Sequence, residues 1–349
     1  MPYGTLSTID TLRSSQQTVA QYGEDRAFEA ISTLLAAHNT VLNEMLSSFV
    51  EKTTDRMRRY GGADSMEMQE VDEFGTPDAQ KVHTGASVAF PMQLYALGIN
   101  WTRHYLLNAS VSEIMASVDA ARTADIRNVQ RAISRALFIP TNYIFRDKLV
   151  DHVDLPIKAL ANGDGDPIPA APDGTTFDGS THSHYLAFPS VTDDAVGLLI
   201  ETVLEHFLSG KISIYIHRAQ EKAFSELSKF APIVNSRIIM PSDRMYVHDD
   251  VSINISNRQI GFYDNKAEVY VKPWIPAGYI LCMHEGGDSK TLCFRSRTAN
   301  SGDLELLYEN EQYPLRSRAI GREFGIGVYN RIKAAVAYIG GTDYVAPNL

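Results

Sequence analysis

The chain has 349 residues, 44% of them hydrophobic, enough for a substantial core in one large or two medium domains. Its formal net charge of -10 argues against a general nucleic-acid binder, which carries a basic face, although an acidic wall can enclose DNA without adhering to it. Two cysteines, no apolar run near the roughly 20 residues that span a bilayer, and a polar N-terminus argue against a secreted disulfide scaffold, a membrane protein and a signal peptide, and predict a soluble protein made in a reducing cytoplasm.

Residues 1–22 are rich in Ser, Thr and Gln without helical apolar spacing, and read as a mobile arm. From Asp25 to Val50, Phe28, Ile31, Leu34, Leu35, Val41, Leu42, Met45, Leu46 and Phe49 recur at helical spacing. A basic cluster follows, Arg56, Arg58 and Arg59, ended by Gly61 and Gly62. The stretch from Tyr60 to Gly85 is polar and acidic (Asp64, Glu67, Glu70, Asp72, Glu73, Asp78), with Gly75 and Pro77 marking a turn and Met66 and Met68 alternating with polar residues. So long a segment inside a domain predicts a protruding hairpin or a disordered segment, with a solvated surface insertion as the plain alternative.

An apolar, aromatic run, Val88 to Trp101, leads to a long helix over 111–139. Ser110 and Glu113 have capping-box spacing. Val111, Ile114, Met115, Val118, Ile126, Val129, Ile133 and Leu137 form its predicted stripe, interrupted by Arg122, with Arg127, Arg131 and Arg135 on the polar side. Pro140 ends it after roughly 40 Å. Residues 151–189 are loop and short-strand material. Thr192 caps a helix with Asp193 and Asp194 in its first turn, and Gly210 ends it. The strand 211–216, a helix over 219–230 and a strand over 237–240 then suggest a small α/β domain. Strands are predicted at 251–255, 267–271, 279–283, 304–308 and over 324–339, the last ambiguous because 333–338 is also compatible with helix. Around Glu285–Asp288, strands 279–283 and 291–294 read as a hairpin that sets Cys282 opposite Cys293; a reduced pair is expected rather than a bridge.

Candidate chemistry is sparse. His182 and His184, two apart on a strand, point to one face and can share a metal, with Asp178 near enough to be a third ligand. His248-Asp249-Asp250 completes such a site only if folding brings it close. Structural histidines in a turn are the expected reading, and no catalytic, cofactor-binding or metal residues are assigned. Gly163, Gly165, Gly174 and Gly179 lack the phosphate-loop pattern, no G-x-S-x-G elbow occurs, and Cys282 with His284 nearby has no catalytic signature.

The order of helix, extended loop, long helix, α/β domain and returning strands resembles the major capsid proteins of tailed bacteriophages, whose Hong Kong-type shell fold is shared with encapsulins. The runs 175–186 (TTFDGSTHSHYL), 271–280 (VKPWIPAGYI), 292–295 (LCFR), 324–331 (FGIGVYNR) and 334–339 (AAVAYI) look like segments of such subunits. The resemblance, from about residue 25 onward, implies an α+β fold. It gives an N-terminal arm and helix in 1–50 and an extended loop in 51–100. A peripheral domain follows in 101–189 and 291–329 around the spine helix 111–139, and an axial domain in 190–290 and 330–349. It further implies a structural, non-enzymatic role in an icosahedral capsid that encloses double-stranded DNA without sequence specificity. The subunit would assemble with itself as hexamers and pentamers in the bacterial host cytoplasm, without membrane contact and with separate scaffolding, portal and decoration proteins as candidate partners. No cofactor is implied. Few residues precede the first helix, so a fused scaffold is not expected. Lys-to-Asn cross-linking, for which Lys81 is the only lysine between Tyr60 and Gly85, is not carried over. An encapsulin-like compartment and a metal-dependent enzyme using Asp178, His182 and His184 are the rival readings.

Overall fold

A computed structural model of the chain describes residue 13 and residues 15–60, 68–71, 73–80, 85–207, 210–233, 258–287, 289–299, 301–312 and 315–349. Thr18 closes a capping box on the short α1 (Val19–Tyr22), and α2 (Glu24–Leu46) follows after Gly23. Of the predicted stripe of α2, Ile31, Leu34, Leu35, Leu42 and Leu46 are buried, whereas Val41 faces solvent. Strands β1 (Val50–Thr53) and β2 (Met57–Tyr60) come next. β2 pairs antiparallel with β3 (Ala86–Ala89), Tyr60 opposite Ala86, so the intervening stretch leaves and returns at one hairpin root. Met66 and Lys81 lie outside the described residues.

β4 (Gln93–Thr102) and α3 (Arg103–Asn108) lead into α4 (Val111–Phe138), close to the predicted span. The capping box forms: Ser110 Oγ accepts from the Glu113 N–H at 3.3 Å, and the Ser110 N–H donates to the Glu113 carboxylate at 2.8 Å. Ile139 is extended, as the residue before a proline favours. β5 (Tyr143–Arg146) and β6 (Asp154–Ile157) form a small hairpin, and β7 (Tyr185–Phe188) precedes α5 (Asp193–Leu204), capped by Thr192. After β8 (Lys211–Ile216), the predicted helix over 219–230 shrinks to a 3₁₀ turn and α6 (Glu221–Ser225). The physical reason lies in Asp193: its carboxylate accepts from the Ser228 N–H and hydroxyl, at 3.1 and 2.8 Å, and draws the chain into β9 (Phe230–Pro232). The strands predicted at 237–240 and 251–255 lie outside the described residues.

The remaining strands are β10 (Arg258–Tyr263), β11 (Ala267–Val271), β12 (Tyr279–Glu285), β13 (Leu292–Arg295), β14 (Glu305–Gln312), β15 (Leu315–Val328) and β16 (Ala334–Ile339). They make two main sheets. One runs β7-β16-β12-β8-β11-β10-β9; the other runs β1-β13-β15-β14, with β4 also on β15. The ambiguous 324–339 segment is therefore strand at both ends, divided between the sheets by a turn around Arg331. The imagined Cys282–Cys293 hairpin does not form. Cys282 lies opposite Ile214 and Ala335, whereas Cys293 lies opposite Glu51 and Gly327, in different sheets. The connection after β12 is long enough for the chain to change sheets, and the Lys333 amine donates to the Gly286 and Ser289 carbonyls within it. Both thiols are free and buried. One core joins the two sheets to the C-terminal half of α4; α5 covers the first sheet through a second core, and α2 packs on the N-terminal half of α4 in a third. Among the described residues no helix is long and apolar enough to cross a membrane.

Candidate functional site

Arg331, almost fully buried, organises the irregular chain between β6 and β7. Its guanidinium donates to the Ala159 carbonyl at 2.8 Å, Asn162 Oδ1 at 3.0 Å, and the carboxylates of Asp164 and Asp166 at 3.1 and 2.8 Å. Lys158 reaches the same two carboxylates. Burial pushes the Asp164 carboxyl up, but Lys158 and Arg331 outweigh it and hold the group well below the usual range. The second limb of the loop lies against the first: Gly163 N–H donates to His182 O, Gly165 N–H to Gly179 O and His184 N–H to Ala161 O. Gly179 is required here, because a Cβ on it would sit 2.1 Å from the Asp166 carbonyl oxygen.

This scaffold directs His182 and His184 to one side, as their spacing predicts. They meet two residues absent from the sequence-level site, Glu205 and His206, in the turn that closes α5. The His182 and His184 Nε2 atoms are 3.0 Å apart, and His206 Nε2 is 3.0 Å from the first and 3.1 Å from the second. Glu205 Oε1 lies 3.6 Å from His182 Nε2 and 3.8 Å from His206 Nε2. His184 Nδ1 is 2.7 Å from the Ala334 carbonyl in β16; a carbonyl only accepts, so the ring proton sits on Nδ1 and Nε2 presents a lone pair. The Phe177 ring covers His182 and His206 at centroid distances of 4.9 and 4.2 Å. His184 and His206 side chains are inaccessible, while that of Glu205 is 39% exposed. Burial drives the basicity of His184 far down, and burial together with His182 takes His206 to about 3.

Asp178 does not join the cluster. Its carboxylate accepts from the Ser180 N–H and hydroxyl and the Thr181 hydroxyl, capping its own turn. His248-Asp249-Asp250 lies outside the described residues. Cys282 is fully buried, and burial pushes its thiol upward, opposite to the shift a reactive cysteine needs. His206 was detectable in principle, since a strand over 185–188 followed by a helix over 193–204 folds back and returns the helix end near the strand start.

The surface carries apolar groups of another kind. Met68 and Phe74, on the stretch beyond the β2–β3 root, are 102% and 90% exposed. Leu94, Leu97, Leu306, Tyr308 and Leu315, on the strands flanking and forming β15, are also exposed. The chain leaves these groups in water. An open groove of about 500 Å³ beside α4 is lined by Ala132, Arg135, Lys158, Phe324 and Ile326 among others.

No protein-family model matches the sequence, and no curated protein matches it. Solved structures do. One from Mycobacterium phage Patience aligns with a TM-score of 0.67 and 20% identity over 95% of this chain and 92% of that one. The capsid of an empty GTA particle aligns with a TM-score of 0.45 and 14% identity over 85% of this chain and 89% of the other. The holo-SrpI encapsulin complex from Synechococcus elongatus gives 0.42 and 11% over 87% and 90%. The chain thus has the α+β, Hong Kong-type phage capsid fold that the sequence resemblance implied.

Proposed function

We propose that this chain is a structural major capsid protein whose copies close into an icosahedral shell around double-stranded DNA. The observation that carries the reading is the near-complete alignment, 95% of this chain and 92% of the other, with the structure from a Mycobacterium phage. The exposed apolar groups beyond the β2–β3 root and around β15 support it, because an assembling subunit must offer surface to its neighbours. In this reading residues 1–50 are an arm and helix, 51–100 the extended loop, 101–189 and 291–329 the peripheral domain, and 190–290 and 330–349 the axial domain. The role is contact geometry rather than catalysis. Hexamers and pentamers of the chain, separate scaffolding, portal and decoration proteins, and DNA held without sequence preference are the proposed partners. Assembly takes place in the host cytoplasm and the product is the virion capsid.

Negative-stain imaging of the protein, expressed alone and with its neighbouring genes, tests this. Closed shells are expected in at least one condition. A chain that remains monomeric in both overturns the reading. Shells filled with a protein cargo instead of DNA make it an encapsulin-like compartment.

A further inference from the structure

We propose that His182, His184 and His206, with Glu205 as fourth ligand, form a structural zinc site that clamps the irregular loop before β7 to the end of α5. The inference is independent of the shell reading and rests on the convergence of these four side chains.

Three imidazole nitrogens aim at one point. Zinc–nitrogen bonds of about 2.0–2.1 Å in a tetrahedron place neighbouring ligand atoms roughly 3.3–3.4 Å apart. The observed triangle of 3.0, 3.0 and 3.1 Å is only slightly smaller. A cation about 1 Å out of its plane lies within bonding distance of all three. The Glu205 oxygen stands beyond the triangle, 3.6 and 3.8 Å from two of its corners, and a modest closure of this half-exposed side chain supplies the fourth bond.

Hydrogen bonding accounts for only part of the arrangement. The contact with the Ala334 carbonyl fixes the His184 proton on Nδ1, so its Nε2 offers only a lone pair. An Nε2–H lies along the axis of its ring and points at the common centre, not at one neighbour. One neutral ring can share an Nε2–H between the other two nitrogens, but those two lone pairs still face each other, a second N–H meets the first, and protonated rings bring positive charges together in a buried space. A cation accepts all three lone pairs. The Ala334 contact is also the outer-shell bond that orients a metal-bound imidazole.

Three imidazoles and a carboxylate suit zinc better than magnesium or calcium, which favour all-oxygen shells. With His184 and His206 buried and the carboxylate closing the fourth position, the site is structural rather than hydrolytic. It joins two segments that are 22 to 24 residues apart in sequence, and through Ala334 a third, where the loop otherwise relies on Arg331.

The test uses the full chain without a histidine tag. Elemental analysis of protein purified without added metal should find stoichiometric zinc. Chelation should lower the melting temperature, and zinc, not magnesium, should restore it. His206→Gln should lose the metal, and Glu205→Gln should bind it about tenfold or more weakly. If His206→Gln fails to fold, cobalt(II) titration of metal-stripped wild type decides: an intense tetrahedral visible band should saturate at stoichiometry and vanish on adding zinc. Absence of both bound zinc and a saturable cobalt band overturns the proposal. So does stoichiometric zinc retained by the His182→Gln/His184→Gln double variant.

Discussion

Arg322 is 1% exposed, and its charge is answered entirely inside the protein. Its Nε and Nη2 each donate to the Asp125 carboxylate at 2.9 Å, and Nη2 also reaches Asn39 Oδ1 at 2.8 Å. His38 Nε2 completes the group, 2.8 Å from Asp125. The sequence pattern placed Ile126 on the inner stripe of α4, but Ile126 is half-buried and Asp125, between Ala121 and Val129 at four-residue steps, faces inward. Periodicity assigns the apolar neighbour to the stripe because it cannot see a buried arginine 197 residues later. Arg122, the predicted interruption, instead pairs with Asp119 at the helix surface. Removing one partner of a buried pair leaves the other uncompensated, so Arg322→Ala should destabilise the subunit by about 3–5 kcal/mol. Burial pushes the Asp125 carboxyl up, but hydrogen bonds from His38 and Arg322 outweigh it and hold it below its ordinary value. A depressed carboxyl stabilises fully above its unfolded pKa, near 3.9, and loses that contribution as pH falls through the folded value. Urea unfolding of wild type and variant should therefore show a gap at about pH 7 that narrows toward pH 3; a gap of constant size would show that the ion pair is not its source.

At the scale of elements, β15 holds the fold together by pairing with three strands, β14 and β4 along its first part and β13 at its end. Its first ten residues pair with β4, Leu315 with Thr102 through Phe324 with Gln93. From Gly325 to Val328 it pairs with β13. At the changeover the Pro91 carbonyl comes so close that a Cβ on Gly325 would fall 1.2 Å from its oxygen, so only glycine fits. Gly325→Ala should cost about 3 kcal/mol, the upper end for overpacking, or prevent folding. Gly98→Ala, also in a strand paired with β15 but with nothing within 4 Å of the new Cβ, should be neutral or slightly stabilising. Thermal melts of the two variants check this, and equal losses would remove the special role of Gly325. The pair also marks what the sequence could convey. α2, α4 and α5 were legible because caps and three- and four-residue steps are local signals. β8 and β11 were legible because β-branched runs are too. The sheet to which a strand belongs is not local: the Cys282 and Cys293 strands read as one hairpin because only their separation in sequence was visible. The histidine site was half legible for the same reason. His182 and His184 share a strand-like segment, whereas Glu205 and His206 arrive from the far end of a helix and Asp178 is spent on its own turn.

For the whole molecule, net charge sets how the chain meets DNA. The chain carries 42 acidic against 32 basic residues. The short basic cluster after α2 was one candidate for an attractive patch, yet the fold spends much of that charge internally. Arg58 donates to Glu51 at 2.7 Å and Asp55 at 2.8 Å and lies over the Tyr329 ring, and Arg56 faces Asp151 at 3.8 Å. Arg59 is exposed, with a 3.4 Å contact to the Gly85 carbonyl among the described residues. Duplex affinity grows with the number of phosphates neutralised, each adding about -0.9 to the slope of log K against log salt. With Arg58 answered by two carboxylates and Arg56 and Arg59 the cluster's solvent-facing members, the chain should bind duplex DNA weakly and without sequence preference. Its salt slope should be no steeper than about -2, equivalent to roughly two phosphate contacts. Arg56→Ala/Arg59→Ala should flatten that slope without altering fold or assembly. Fluorescence anisotropy with duplexes of different sequence, across a salt series, measures both quantities. A steep slope would point to the exposed row Arg127, Arg131 and Arg135 on α4 instead. Tight binding that depends on sequence would contradict the proposed shell, because confinement by closure requires no reading of sequence.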